Sequence, residues 1–270
     1  MQRVLETGWI TKKHEGTPDR QVRYRMACLD KNHLPQVMDL QSLICQVLQR
    51  PDLLQPFSKD FMLQHMGYQG TVLGVFVQDR LVAFRNLYYP SPGDRQWNLG
   101  FDIGLAKAKL AQVVNLQMVC VHPDFRGNQL ALKMNRTALR LLHSRKTHPH
   151  VCATVSPFNI WNIPVLLSCG FSIVKLKRKY GGKIRYIVYQ NLLKPLTFVL
   201  GGAQRVALDD LDTQRRLLAA GYFGVAVQTA PSAGGAKSGT GLELVFKKHG
   251  TGSARKSMLR PRQAMAAVAV

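Results

Sequence analysis

Apolar residues recur with the period of an α-helix in several segments of the chain. The spacing predicts helices over residues 34–49, 128–144 and 209–220, because apolar positions three and four apart fall on one face of a helix. Shorter helices are expected after Ser58 and over residues 159–168. Strand-like segments separate these helices, which indicates a domain of mixed class.

Other segments alternate apolar and polar residues, or are apolar throughout, as strands do. Residues 71–77 and 81–89 flank the short turn Gln78-Asp79-Arg80 and predict a hairpin. Residues 113–121, VVNLQMVCV, predict a central strand that is buried on both faces. The remaining predicted strands cover residues 22–29, 151–156, 171–177, 183–192, 223–227 and 242–246.

The two ends of the chain lack these periods. Residues 1–20 are polar and aperiodic and are interpreted as a loose N-terminal arm. We expect one main domain over residues 21–194, a C-terminal extension packing on it over residues 195–250, and a flexible basic tail over residues 251–270. Residues 229–241 are rich in Gly, Ala and Ser, which is typical of a flexible loop.

Charge adds a prediction about partners. The 270 residues include 37 Lys and Arg against 15 Asp and Glu, a formal net charge of +22. Such a balance indicates an anionic partner: nucleic acid, a membrane surface or a phosphate-bearing small molecule. Between Asp124 and Asp209 lie 84 residues with 14 Lys and Arg and without a carboxylate, so the anion site is expected there.

Cysteine usage and the lack of an apolar leader favour a cytoplasmic protein. No C-x-x-C pair or zinc pattern occurs, so the cysteines are interpreted as reduced core residues, and no metal is expected. No stretch approaches the ~20 apolar residues of a membrane span, so no membrane partner is expected. The five cysteines are Cys28, Cys45, Cys120, Cys152 and Cys169.

A turn between a strand and a helix carries the clearest functional signal. The predicted strand ending at Val121 is followed by His-Pro-Asp-Phe-Arg-Gly and then by the helix over residues 128–144. The first N–H groups of a helix lack intrahelical partners and lie at its positive end, so this turn is a cradle for a pyrophosphate. Arg126 and Lys133 would add positive charge.

This segment resembles motif A of the GCN5-related N-acetyltransferase (GNAT) superfamily. The motif has Arg or Gln, two residues, Gly, one residue, and then Gly or Ala; here it is Arg126-Gly127-Asn128-Gln129-Leu130-Ala131. Gln129 stands where the family prefers Gly, which places a side chain near the expected phosphates.

Motif B of the same superfamily is also present. Asn159 lies twelve residues before Phe171, in a segment similar to N-x-x-A-x-x-L-Y-x-x-x-G-F. Val165 stands for the Leu, and Asn162 replaces the usual Ala. The resemblance covers about residues 22–193.

The resemblance implies a fold, an activity and a cofactor. The fold is α+β, with a mixed, mostly antiparallel sheet flanked by helices and a C-terminal extension. The implied activity is direct transfer of an acetyl or related acyl group from acetyl-CoA to an amine of a small molecule or peptide. The residues expected to bind the cofactor are Val119, Cys120, Val121, Arg126, Gly127, Asn128, Gln129, Leu130, Ala131 and Asn159.

The family's usual proton-transferring side chains are missing. Its common Tyr falls at Leu166, and a Glu of some members falls near Thr154, so no catalytic residue is assigned. Lys175, Lys177 and Lys179 are interpreted as the solvent face of an edge strand. Remaining polar candidates, each more simply an exposed or capping residue, are His33, His65, Asp94, Asp102 and His122.

Two other functions stay open. One is a catalytically silent acyl-CoA-binding module of the same fold, which Leu166 and Gln129 favour. The other is a basic protein associated with nucleic acid. The charge favours it, although no known nucleic-acid-binding motif is present. A homodimer is compatible with each of these hypotheses.

Overall fold

Five α-helices of the described residues lie in segments that the helical spacing predicts, whereas a short one at Leu99–Asp102 was not predicted. The computed structural model describes residues 3–14, 17–230 and 241–250. Ser58 accepts a hydrogen bond from the Phe61 N–H at 3.2 Å and Asp210 one from Thr213 at 3.0 Å, so both cap the helices that follow. The helices are α1 (Leu34–Val47), α2 (Lys59–His65), α3 (Leu99–Asp102), α4 (Leu130–Arg145), α5 (Asn162–Ser168) and α6 (Leu211–Ala219).

The described strands form one sheet in the order β1-β2-β3-β4-β5-β6-β8-β7-β10-β11-β9. All neighbours are antiparallel except β5 and β6, which are parallel. The predicted fold class, a mixed and mostly antiparallel sheet flanked by helices, is confirmed. The strands are β1 (Val4–His14), β2 (Thr17–Cys28), β3 (Gly70–Val77), β4 (Arg80–Tyr88), β5 (Val113–Val121), β6 (His150–Val155), β7 (Ser172–Lys179), β8 (Lys183–Asn191), β9 (Gln204–Ala207), β10 (Tyr222–Thr229) and β11 (Leu242–Lys248).

Helices cover both faces of the central strands, as expected for a strand that is apolar at nearly every position. Helices α1 and α2 pack on one face, where Phe84 and Met118 are buried among their side chains. Helices α4 and α5 pack on the other face, where Val114 and Leu116 are buried. Strand β5 therefore lies in the middle of two cores, and the chain leaves it directly toward α4.

The expectation of a loose arm over residues 1–20 is wrong for the described part. Strand β1 pairs with β2 in a long hairpin. Ile10 and Tyr24 of this hairpin are buried against Phe125 and Leu130, next to the start of α4. Apart from Trp9, the opposite face of the hairpin is polar and largely exposed, so the apolar alternation in the sequence is too weak to indicate a strand.

The C-terminal segment continues the same sheet. Gly224 of β10 pairs with Ile173 of β7, and a Cβ at Gly224 would lie 3.0 Å from the Ile173 Cβ, so glycine permits this close approach. Strand β7 thus has a neighbour on each side at Ile173, whereas its residues 175–179 pair only with β8 in the described part of the chain, as at a sheet edge. The predicted loop at 229–241 lies outside the described residues over 231–240, and so does the basic tail over 251–270.

Candidate functional site

Strands β5 and β6 separate halfway along their length. Their parallel register runs from Val113 opposite His150 to Leu116 opposite Ala153, and ends there. On its other side β5 stays paired with β4 as far as Val121, through a bulge between Arg85 and Leu87. In the described part of the chain, residues 117–121 therefore have no strand partner on the side that faces β6. Val119, Cys120 and Val121, predicted from the resemblance, lie on this open edge.

The turn after β5 leads directly into α4. Residues Pro123–Phe125 form a 3-10 turn, and α4 begins at Leu130. Gly127 and Gln129 have φ values of +83° and +56°, which turn the chain sharply before the helix. The N–H groups of the first helical turn have no intrahelical partners by geometry. Gln129 is the N-cap residue of α4, and its side chain makes no capping hydrogen bond. In the described residues the N–H groups of the first turn are therefore available to an anion.

Gln129 is the residue of this turn that departs from motif A. It is exposed, while Leu130 beside it is buried. The backbone of Gln129 is left-handed, a conformation in which glycine is the least strained residue, and this is the position where motif A has Gly. The departure from the motif thus keeps the backbone path and adds a polar side chain at its rim.

Positive charge surrounds the turn. Arg80 donates from Nη2 to His122 Nε2 at 2.8 Å, and the backbone N–H of Asp124 lies 3.2 Å from His122 Nδ1. Burial lowers the pKa of His122, and the charges of Arg80, Lys12 and Arg126 lower it further. These cations therefore produce a positive potential next to the uncapped start of α4.

Asn128 has a structural role that its sequence position did not suggest. Its side-chain amide bonds both backbone groups of Thr11 in β1, at 2.7 and 2.6 Å. Only its backbone remains for a ligand. Asn159 lies beyond β6, and its Oδ1 accepts from the N–H of Asn162, the first residue of α5, at 3.0 Å. Cofactor contacts from these two residues stay predictions.

A tyrosine that the sequence analysis did not single out lies at the mouth of the gap between β5 and β6. The hydroxyl of Tyr180, in the turn between β7 and β8, lies 3.3 Å from Oγ1 of Thr154. Thr154 follows directly on the last paired residue of β6, Ala153. The Tyr180 ring stacks on Trp97 with centroids 5.4 Å apart. Its only sequence signal was its place next to Gly181-Gly182.

Burial raises the pKa of Tyr180, although its bond to Thr154 and the charge of Arg185 oppose this. The hydroxyl therefore keeps its proton at neutral pH. Leu166, at the family's usual Tyr position, is buried in the core and 1% exposed. The Tyr180 hydroxyl is thus close to the gap, although Tyr180 belongs to the turn between β7 and β8 and the family's usual position, Leu166, belongs to α5.

The other polar candidates all have local partners. His33 bonds Asp30 at 2.7 Å, and His65 bonds Asn86 at 2.8 Å. Asp94 accepts from the N–H groups of residues 96 and 97. Asp102 is 8% exposed and lies between two lysines, Lys177 at 2.5 Å and Lys179 at 2.6 Å. These contacts stabilise the fold and do not form a catalytic set.

Neither a membrane-spanning helix nor a cluster of metal ligands is found in the described residues. None of the helices there is long and apolar enough to cross a membrane. No group of three or more His, Cys, Asp or Glu side chains in residues 3–14, 17–230 and 241–250 is placed to hold a metal ion.

Comparison with known proteins gives matches in structure alone. No model of a protein family matches the sequence, and no curated protein matches it. The ribosomal-protein-S18-alanine N-acetyltransferase from Escherichia coli is 14% identical over 63% of this chain and 94% of its own, with a TM-score of 0.47. A GNAT-family acetyltransferase from Streptococcus pneumoniae is 11% identical over 62% and 98%, with a TM-score of 0.47.

A third match is a PaiA N-acetyltransferase from Thermoplasma acidophilum in complex with coenzyme A. It is 12% identical over 62% of this chain and 98% of its own, with a TM-score of 0.43. Each of these likenesses is one of structure, at 11–14% sequence identity.

Proposed function

We propose that this chain is a GNAT-type N-acetyltransferase that transfers an acetyl group from acetyl-CoA to an amine. One observation carries the proposal. The unpaired edge of β5, residues 117–121, runs directly into the uncapped start of α4. An extended ligand that pairs with this edge would bring an anionic group at its end to the N–H groups of α4.

The residues present fit coenzyme A. Its amide-bearing arm suits the backbone of Val119–Val121, and its diphosphate suits the N–H groups of Leu130 and Ala131 beside Arg126. When bound, acetyl-CoA supplies an activated thioester. The side chain of Gln129 is exposed at the same turn and would lie beside the diphosphate.

The chain contributes positioning and proton control. Backbone N–H groups on the open edge of β5 orient the acyl group and offer a hydrogen bond to its carbonyl oxygen. The Tyr180 hydroxyl holds a proton at the gap, next to Thr154, where it can be given to a leaving thiolate. The unprotonated amine attacks the thioester carbonyl carbon, and the C–S bond breaks as the thiolate takes the Tyr180 proton. The proton that the nitrogen loses returns to the Tyr180 oxygen directly or through water.

A silent acyl-CoA-binding module is the second candidate, and buried Leu166 favours it because that position offers no hydroxyl. The two candidates differ in turnover. Release of free thiol from acetyl-CoA with a panel of small-molecule and peptide amines supports the enzyme. Tight binding without release in the whole panel supports the module.

Isothermal titration with acetyl-CoA tests the cofactor site itself. Ala131→Glu places a carboxylate in the first turn of α4, and we expect it to abolish binding through repulsion of the diphosphate. The matched control is Ala219→Glu, at an exposed position of α6, which should bind like the parent chain. Circular dichroism confirms that both variants are folded. Unchanged affinity in a folded Ala131→Glu variant would place the diphosphate elsewhere.

A further inference from the structure

The hairpin β1–β2 extends beyond the sheet and forms one wall of a groove. Of the residues of β2, only Tyr24–Cys28 pair with β3. The half of the hairpin nearer its turn therefore projects past the sheet. A groove of about 990 Å³ lies along it. Among the described residues that line the groove none is a carboxylate, and five are basic: Lys12, Arg20, Arg23, Arg25 and Arg80.

An exposed aromatic residue lies among these charges. Trp9 lines the groove, is 67% exposed, and stands opposite Arg23 across the two strands. Nearby, the guanidinium of Arg25 lies 4.2 Å from the centre of the Phe76 ring, and Asp79 pairs with Arg25 at 3.7 Å. An exposed indole offers a flat face on which a nucleic-acid base can stack. Its position between arginines is suited to a flat aromatic ligand that carries negative charge.

We propose that this groove, which shares Lys12 and Arg80 with the surroundings of the turn before α4, binds single-stranded nucleic acid. Phosphates would neutralise the arginines and Lys12, while a base stacks on Trp9, which is the combination that single-strand binders use. A single strand fits a concave groove, whereas a flat membrane surface would touch only its rim. The binding also gives a role to the part of the +22 charge that one cofactor diphosphate does not neutralise.

Fluorescence anisotropy of the full chain with a labelled oligouridylate of about twelve nucleotides tests this inference. We expect binding that weakens with salt between about 50 and 200 mM, with a log–log slope of about −2 to −3 for four or so neutralised phosphates. Trp9→Ala should weaken binding about tenfold through lost stacking. Arg23→Ala should weaken it and reduce the slope by about 0.7.

The matched control is Arg205→Ala, which removes the same charge from an exposed position of β9 at the opposite end of the sheet. We expect less than a twofold change, and the basic tail is identical in all variants. Three outcomes would overturn the inference: no binding at low salt, equal losses in Trp9→Ala and Arg205→Ala, or equal affinity for polyglutamate of matched charge. Stronger binding to duplex or to anionic vesicles than to the single strand would overturn it as well.

Discussion

The side-chain amide of Asn128 is hydrogen bonded to both backbone groups of Thr11. Its Oδ1 accepts from the Thr11 N–H at 2.7 Å, and its Nδ2 donates to the Thr11 carbonyl at 2.6 Å and to that of Phe125 at 3.1 Å. The amide thus acts as a neighbouring strand residue would. It fastens the hairpin β1–β2 to the turn before α4, across 117 residues of sequence.

Asn128→Ala should loosen this attachment. We expect the free energy of unfolding to fall by about 1–3 kcal/mol, because two backbone groups of Thr11 lose a partner. Urea unfolding measures the loss, and amide hydrogen exchange at residues 7–13 should become faster. The control is Gln21→Ala, which removes a single exposed bond to Thr11 Oγ1 and should cost less than about 0.5 kcal/mol. Unchanged exchange in Asn128→Ala would contradict the role given to the amide.

The contact between Asn128 and Thr11 also shows why strand β1 could not be predicted from the sequence. Strand β5 and helices α1 and α4 could be predicted, because their apolar positions cover faces that are buried over several turns or residues. Strand β1 could not, because it buries little besides Ile10 and is held by a residue far away in sequence. Local periodicity carries no information on such a partner.

Gln129→Gly should stabilise the chain. The residue has a φ of +56°, and glycine reaches this conformation without the strain of a Cβ, which favours the folded state by about 1 kcal/mol. Affinity for acetyl-CoA should stay equal or rise. Lys133→Gly, inside α4, is the control and should lose about 1 kcal/mol in urea unfolding. A loss of stability at both positions would show that the left-handed backbone carries no strain.

The lysines of β7 are a second case in which a contact could not be predicted from the sequence. Their alternation indicated a solvent face, yet Lys177 and Lys179 converge on Asp102, more than seventy residues earlier in the chain. Tyr180 was missed for the same reason. The fold brings it to Thr154, and neither residue shows a pattern that indicates the other.

Asp102→Asn should destabilise the fold by roughly 2–4 kcal/mol, because Lys179 is only 9% exposed and would keep a poorly compensated charge. Asp212→Asn is a matched control. Asp212 pairs with Arg215 at 2.6 Å but is 85% exposed, so its loss should cost less than about 0.5 kcal/mol. Denaturant unfolding of both variants compares the two pairs, and equal losses would contradict the importance of burial.

His65 should make stability depend on pH. It is fully buried, and burial lowers its pKa from 6.5 to about 4. Between these values only the unfolded chain binds the proton, so this contribution is complete above pH 6.5 and decreases as the pH falls toward 4, by about 3 kcal/mol in all. Unfolding of the parent and His65→Gln between neutral pH and about pH 4 isolates it, and the variant should show the shallower fall. His143→Gln, at an exposed position of α4, should behave like the parent.

Tyr180→Phe separates catalysis from binding. The substitution keeps the stack on Trp97 and removes the hydroxyl beside Thr154, so the affinity for acetyl-CoA should not change while thiol release with an accepted amine falls about 100-fold. Because burial raises the pKa of Tyr180, the parent should lose activity only at strongly alkaline pH, and the variant should lack that decline. Tyr68→Phe, at a side chain that is 87% exposed, is the control and should retain full activity. Full activity in Tyr180→Phe would mean that the thiolate takes its proton from solvent or from another group at the gap.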